Sequence, residues 1–101
     1  MKKIFLILFL SIFTTSSLTD EKMRLGLDIY NNKAMCGTCH TLKNAGSVGD
    51  IGPNLDMLKP QIEQIIYVVT NGIGVMQPWA GILSKEEIEA VAYYVFNSTS
   101  K

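Results

Sequence analysis

Residues 35–40 of this 101-residue chain read MCGTCH, and they hold both of its cysteines and its only histidine. Every soft ligand of the thiol type and the sole imidazole therefore fall in one turn. Any fold for this chain must bring its remaining apolar surface to that turn. Two thiols and an imidazole at C-x-x-C-H spacing are the signature of covalent haem attachment, in which the thiols become thioethers and the imidazole binds iron. A zinc site would have only these three ligands and would need a fourth from water or a carboxylate. A redox-active C-x-x-C pair calls for a βαβ scaffold, and the chain shows no alternating strand pattern to make one. A plain disulfide between Cys36 and Cys39 would leave His40 without a role.

Haem attachment of this kind belongs to an oxidising compartment, and the start of the chain agrees. Lys2 and Lys3 precede an apolar run from Ile4 to Phe13 broken only by Ser11, followed by the small residues of Thr14 to Thr19. This is the layout of a secretory signal peptide. The run is about half of the ~20 apolar residues that span a bilayer, so no lasting membrane insertion is expected. Ser17 and Thr19 set a small-x-small pattern for removal after Thr19, with Ser17 as an alternative, leaving residues 20–101 as one domain in the periplasm. Lys2 and Lys3 leave with the signal, so the even balance of nine basic and nine acidic residues tips to acidic. A nucleic-acid partner, which needs a clustered basic face, is excluded. A domain this small buries a modest core and is commonly stapled by a metal, disulfide or cofactor.

Three helical segments follow, which makes the expected fold all-α. TDEKMRLGLDIYNNK (19–33) carries Asp20 and Glu21 at its positive end and a stripe of Met23, Leu27 and Tyr30. Gly26 inside it costs roughly 1 kcal/mol relative to alanine, which implies a packing reason. PQIEQIIYVVTNG (60–72) places Pro60 at a first helical position and repeats Ile62, Ile65, Ile66 and Val69 at helical spacing. SKEEIEAVAYYVFNS (84–98) opens on a capping box of Ser84 and Glu87. Ile88, Val91, Ala92 and Val95 form its buried stripe, flanked by Tyr94 and Phe96.

A second axial ligand must be methionine or the position stays open, because no second histidine exists. Met1 leaves with the signal, Met35 adjoins Cys36, and Met23 sits on a helical stripe. Met57 follows GPNLD closely, where packing serves as well. Met76 lies in NGIGVMQPWAG, a loop bounded by glycines and proline that frees a side chain from helical constraint, and it is the expected ligand.

With CGTCH, GPNL at 52–55, NGIGVM at 71–76 and LSKEEIEAVAYYV at 83–95 in this order, nearly the whole mature chain resembles a class I cytochrome c. The resemblance is to the short soluble monohaem forms of bacteria and of algal photosynthetic membranes. It implies three main helices and loops around one haem c held by Cys36 and Cys39. It also implies iron between His40 and Met76, a His40 Nδ1 hydrogen bond to the Pro53 carbonyl, and Leu55 packed on the haem. Gly26 and Tyr30 then mark where the first helix crosses the last, near Val91 and Tyr94. Gln77 stands where the family usually has proline, directly before Pro78-Trp79, and Trp79 replaces an expected aromatic that packs over the haem edge.

The function implied is electron transfer rather than catalysis, with a dehydrogenase, oxidase or reductase as redox partner and the chain free as a monomer. The alternative is the haem subunit of an exported dehydrogenase, for instance a sulfite- or alcohol-oxidising one. A haem enzyme or gas sensor would need polar distal groups, which the apolar stretch GIGVM does not offer. On the family fold, Thr38, Val48, Ile51, Val75, Gln77 and Pro78 surround the exposed haem edge with only Lys43 as a nearby cation, implying an apolar docking face.

Overall fold

The computed structural model describes residues 17–100. The expected signal segment through residue 16 lies outside the described residues. Helix α1 runs Leu18–Asp28 with Ser17 as N-cap, so a cut after Thr19 would fall within its first turn. The helix then widens into a π-turn over Ile29–Lys33, closed by the Ala34 amide on the Ile29 carbonyl at 2.9 Å. Two-residue strands β1 (Thr41–Leu42) and β2 (Ser47–Val48) pair antiparallel around a 3-10 turn at Lys43–Ala45. Helices α2 (Leu55–Leu58), α3 (Ile62–Asn71) and α4 (Lys85–Thr99) complete the chain. Among the described residues, no helix is long and apolar enough to cross a membrane.

The fold is thus predominantly helical, as expected, with one small hairpin added. Strands of two residues are too short to print an alternating pattern on a sequence. Helix α2 lies outside the three helical segments that the sequence pattern marks. It exists because the Asn54 side chain accepts from the amides of Asp56 and Met57 at 3.0 and 3.3 Å, capping a single turn. Pro60 is not the first helical residue of α3. Gln61 is extended (φ −73°, ψ 152°) and serves as N-cap, so the helix begins at Ile62 and Pro60 is buried ahead of it.

The core lies where α1 crosses α4 and α3 packs beside them. Tyr30 and Tyr94 meet in it with ring centroids 6.0 Å apart, joined by Ile29, Leu42, Ile65, Val69, Leu83, Ile88, Val91, Ala92 and Val95. The stripes read from α3 and α4 therefore face inward, and Tyr94 belongs to the core itself. Gly26 sits at the crossing. A Cβ there would overlap the Ala90 carbonyl oxygen and Tyr94 Cβ, which explains a helix-weakening glycine: it lets two backbones touch.

One carboxylate ties the crossing at its edge. Ser84 Oγ accepts from the Glu87 amide at 3.1 Å, while Glu87 Oε1 accepts from the Ser84 amide at 2.8 Å, completing the capping box. Glu87 Oε2 accepts from Lys33 Nζ of the π-turn at 2.6 Å. The hydrogen bond from Lys33, then that from the Ser84 backbone, holds the Glu87 carboxyl below its ordinary range.

Two outcomes follow from this packing. Gly26→Ala should destabilise the holoprotein by about 2 kcal/mol through overpacking, despite alanine's better helix propensity, as read from urea denaturation. Because Glu87 has a depressed native pKa, its contribution is present above the ordinary carboxylate pKa of about 4.3 and lost as pH falls through the native value. Glu87→Gln should therefore show a shallower loss of urea midpoint than wild type on acidification from roughly pH 5 to 3.

Candidate haem site

The turn that carries Cys36, Cys39 and His40 is built from local backbone constraints. Met35 adopts the left-handed region (φ 51°, ψ 46°) and swings the chain away from the π-turn. Cys36–Thr38 then form a 3-10 turn, with the Cys39 and His40 amides both donating to the Cys36 carbonyl at 3.1 and 3.0 Å. Both cysteines are half-buried free thiols. Burial, with a smaller contribution from neighbouring Cys39, pushes the Cys36 thiol up to about 11. It is not the low-pKa thiolate that a disulfide oxidoreductase requires. Among the described residues no three of His, Cys, Asp and Glu gather to hold a metal ion.

The imidazole of His40 is oriented from outside. Its Nδ1 lies 2.8 Å from the Pro53 carbonyl oxygen. A carbonyl only accepts, so Nδ1 carries the proton and Nε2 keeps the lone pair that a metal needs. Two glycines lay the Gly49–Pro53 segment directly on the turn. A Cβ on Gly49 would come within 2.7 Å of the Cys39 carbonyl carbon and the His40 amide nitrogen, and one on Gly52 would overlap the His40 ring. The Gly52 amide also donates to the Cys39 carbonyl at 2.6 Å. Gly49 was not singled out from sequence, and the glycine-rich stretch GDIGP was the available signal.

Met76 is presented by a loop folded back on α3. Gly72 (φ 74°) turns the chain, and a Cβ there would lie 2.6 Å from the Met76 carbonyl oxygen and 2.7 Å from the Pro78 nitrogen. Ile73 and Met76 exchange both backbone hydrogen bonds, at 3.0 and 2.9 Å, and the Trp79 amide donates to the Val69 carbonyl at 2.9 Å. The loop is therefore pinned on both sides of Gln77 without a proline at that position. Met76, Leu55, Trp79 and Cys36 all pack, half-buried, against the one hydrophobic core. Met23 packs there too, from α1, whereas Met57 is 81% exposed and Met35 is also exposed.

Two free thiols suit covalent attachment of haem c, and an imidazole whose other nitrogen is tied to a carbonyl and a thioether sulfur packed against the core are groups of the kind that bind its iron. Comparison with known proteins decides the family. The family model described as "Cytochrome C oxidase, cbb3-type, subunit III" matches residues 21–95. The chain is also 36% identical over 86 residues to cytochrome c6 of Tetradesmus obliquus, covering 75% of this chain and 92% of that one.

The chain is a class I c-type cytochrome.

It is 35% identical over 95 residues to the chloroplastic cytochrome c6 of Chlamydomonas reinhardtii, which accounts for 84% of this chain but only 60% of that protein's length. The crystal structure of the c-type cytochrome SorU from Sinorhizobium meliloti superposes with a TM-score of 0.74 at 48% identity, covering 81% of this chain and 95% of that one. The cytochrome carries covalently bound haem c and is an electron-transfer protein rather than an enzyme.

The haem is expected to act as the staple for this small domain. Cys36→Ala combined with Cys39→Ala should give a poorly structured, rapidly degraded chain. A haem-free chain with a cooperative thermal transition comparable to that of the holoprotein would contradict this.

Proposed function

We propose that this cytochrome is an exported monohaem carrier of single electrons between protein partners, with iron held by His40 and Met76 and haem joined through Cys36 and Cys39. The observation that carries the ligand assignment is the contrast between two methionines. Met76 packs against the core from a pinned loop, while Met57 points into solvent from the short α2. Bound haem iron supplies a one-electron couple. The residues around it supply its setting: the Pro53 carbonyl makes the imidazole a stronger donor, and the methionine sulfur favours the ferrous state. Leu55 and Trp79 add apolar cover that limits water near the cofactor. His40 and Met76 would hold the iron from the protein's own side chains, and the couple would work without a substrate on the metal. Residues 1–19 direct export to the periplasm and are removed.

The deciding experiment is spectroscopic. The oxidised protein should show the weak near-infrared sulfur-to-iron charge-transfer band, Met76→Ala should abolish it, and Met57→Ala should keep it. Loss with Met57→Ala and retention with Met76→Ala would overturn the ligand assignment.

Electron exchange is assigned to a mainly apolar face, offered to a dehydrogenase, oxidase or reductase. Val48, Ile51 and Val75 are 85%, 66% and 93% exposed, and Gln77 and Pro78 are exposed beside them. Residues 72–82 contain no charge, and along residues 38–51 the charges are Lys43 and Asp50, of opposite sign. Such a face gives brief contacts with little long-range steering. The second-order rate with a physiological partner should fall less than about tenfold between low salt and 0.15 M, where the Debye length is about 8 Å. A steeper fall would mean a charged docking face instead.

A further inference from the structure

The two core tyrosines carry hydroxyl groups that packing alone does not require. Tyr30 and Tyr94 are 0% and 2% exposed, and phenylalanine would fill the helix crossing without the cost of desolvating a phenol. Each hydroxyl instead reaches out of the crossing to a different part of the β1–β2 hairpin. Tyr30 Oη lies 2.8 Å from Ser47 Oγ on β2, with the His40 carbonyl 3.5 Å away. Tyr94 Oη donates to Asn44 Oδ1 in the intervening turn at 2.5 Å.

The hairpin has little stability of its own. Its ladder is two residue pairs, Thr41 with Val48 and Leu42 with Ser47, and such a short ladder is marginal in isolation. Ser47 Oγ, the partner of Tyr30, also accepts from the Leu42 amide at 3.0 Å, so one hydroxyl both closes the hairpin and docks it. The buried Leu42 side chain and the Lys43 amide, which donates to Asp56 Oδ2 at 2.8 Å, assist. From β2 the chain runs straight into the segment laid on the ligand turn. Thr41 Oγ1 donates to the Gly49 carbonyl at 2.9 Å, the Gly52 amide to Cys39, and the Pro53 carbonyl receives His40 Nδ1. Gly49 lies against the backbone of Gly37, Cys39 and His40, and Gly52 against the His40 ring, so the segment between hairpin and carbonyl is packed on the turn at both glycines.

We infer that Tyr30 and Tyr94 are positioning residues for electron transfer: acting through the Thr41–Val48 hairpin, their hydroxyls hold the Pro53 carbonyl on His40 and so bias the iron toward its oxidised state. The inference rests on the reading above in which His40 ligates iron. A hydrogen bond at Nδ1 raises the basicity of the ligating nitrogen, which favours the more positive ferric form. Loosening that bond lowers the donor strength, and removing a buried hydroxyl dipole makes the surroundings less polar. Both effects favour the ferrous form.

The test uses holoprotein poised at the solution potential where wild type is half reduced. Tyr30→Phe and Tyr94→Phe should each raise the ferrous-to-ferric ratio about twofold, and the double variant more. Asn44→Ala removes the Tyr94 partner at an exposed position, where folding is not at stake, and should shift the ratio in the same direction. Exchange of the His40 Nδ1 proton with solvent should quicken in all of them. Val95→Ala, a cavity in the same core that leaves the hairpin bonds alone, should lower stability and leave the ratio at one. An unchanged ratio in Asn44→Ala and in the tyrosine variants, or an equal shift in Val95→Ala, would reduce the tyrosines to core packing and overturn the inference. The near-infrared band separates the two levels. Its dependence on Met76 tests the axial ligation, whereas an unchanged ratio with the band intact counts against the tyrosines alone.

Discussion

The crossing of α1 and α4 at Gly26 is the contact on which the rest of this cytochrome depends. Only a residue without Cβ lets the α1 backbone rest on Ala90 and Tyr94, and that approach brings Tyr30 against Tyr94. Helix α1 leads directly through its π-turn into Met35 and the haem-binding turn. The position of Cys36, Cys39 and His40 in space is therefore inherited from a helix contact that none of them makes. Lys33 and Glu87 join the same two elements at the rim, where the carboxylate that caps α4 also holds the end of the π-turn.

The orientation of the His40 imidazole follows from the path of the backbone laid against it. His40 makes its outer hydrogen bond to a carbonyl, not to a side chain, so the acceptor's place is set by the path of residues 49–53. That path is feasible because Gly49 and Gly52 carry nothing between the two chain segments.

The methionine side follows a different principle. The loop from Gly72 to Leu83 has almost no regular structure, yet it is fixed by the paired bonds of Ile73 with Met76 and by the bonds of Trp79 and Ala80 to the end of α3. Its inner side chains, Met76 and Trp79, reach the core, while Val75 and Ile73 remain outside. The same loop thus offers a soft donor inward and an uncharged apolar surface outward.

Local chemistry made several features legible in the sequence. The spacing of Cys36, Cys39 and His40, the capping box of Ser84 and Glu87, the stop at Asn71-Gly72 and the apolar stripes of α3 and α4 each depend on neighbours within a turn or two. Residue identity is enough for such features. Tertiary structure decided the rest. The hairpin and α2 are each too short to impose a period, and α2 is stabilised by a single asparagine cap. Pro60 reads as a helix start, yet Gln61 is extended and α3 begins after it. That Tyr94 is core and not flank, and that its hydroxyl meets Asn44 fifty positions away, follows from how closely two helices cross. Distances of that kind depend on chain segments remote in sequence, and only their packing brings Gly26, the tyrosines and the hairpin to one place.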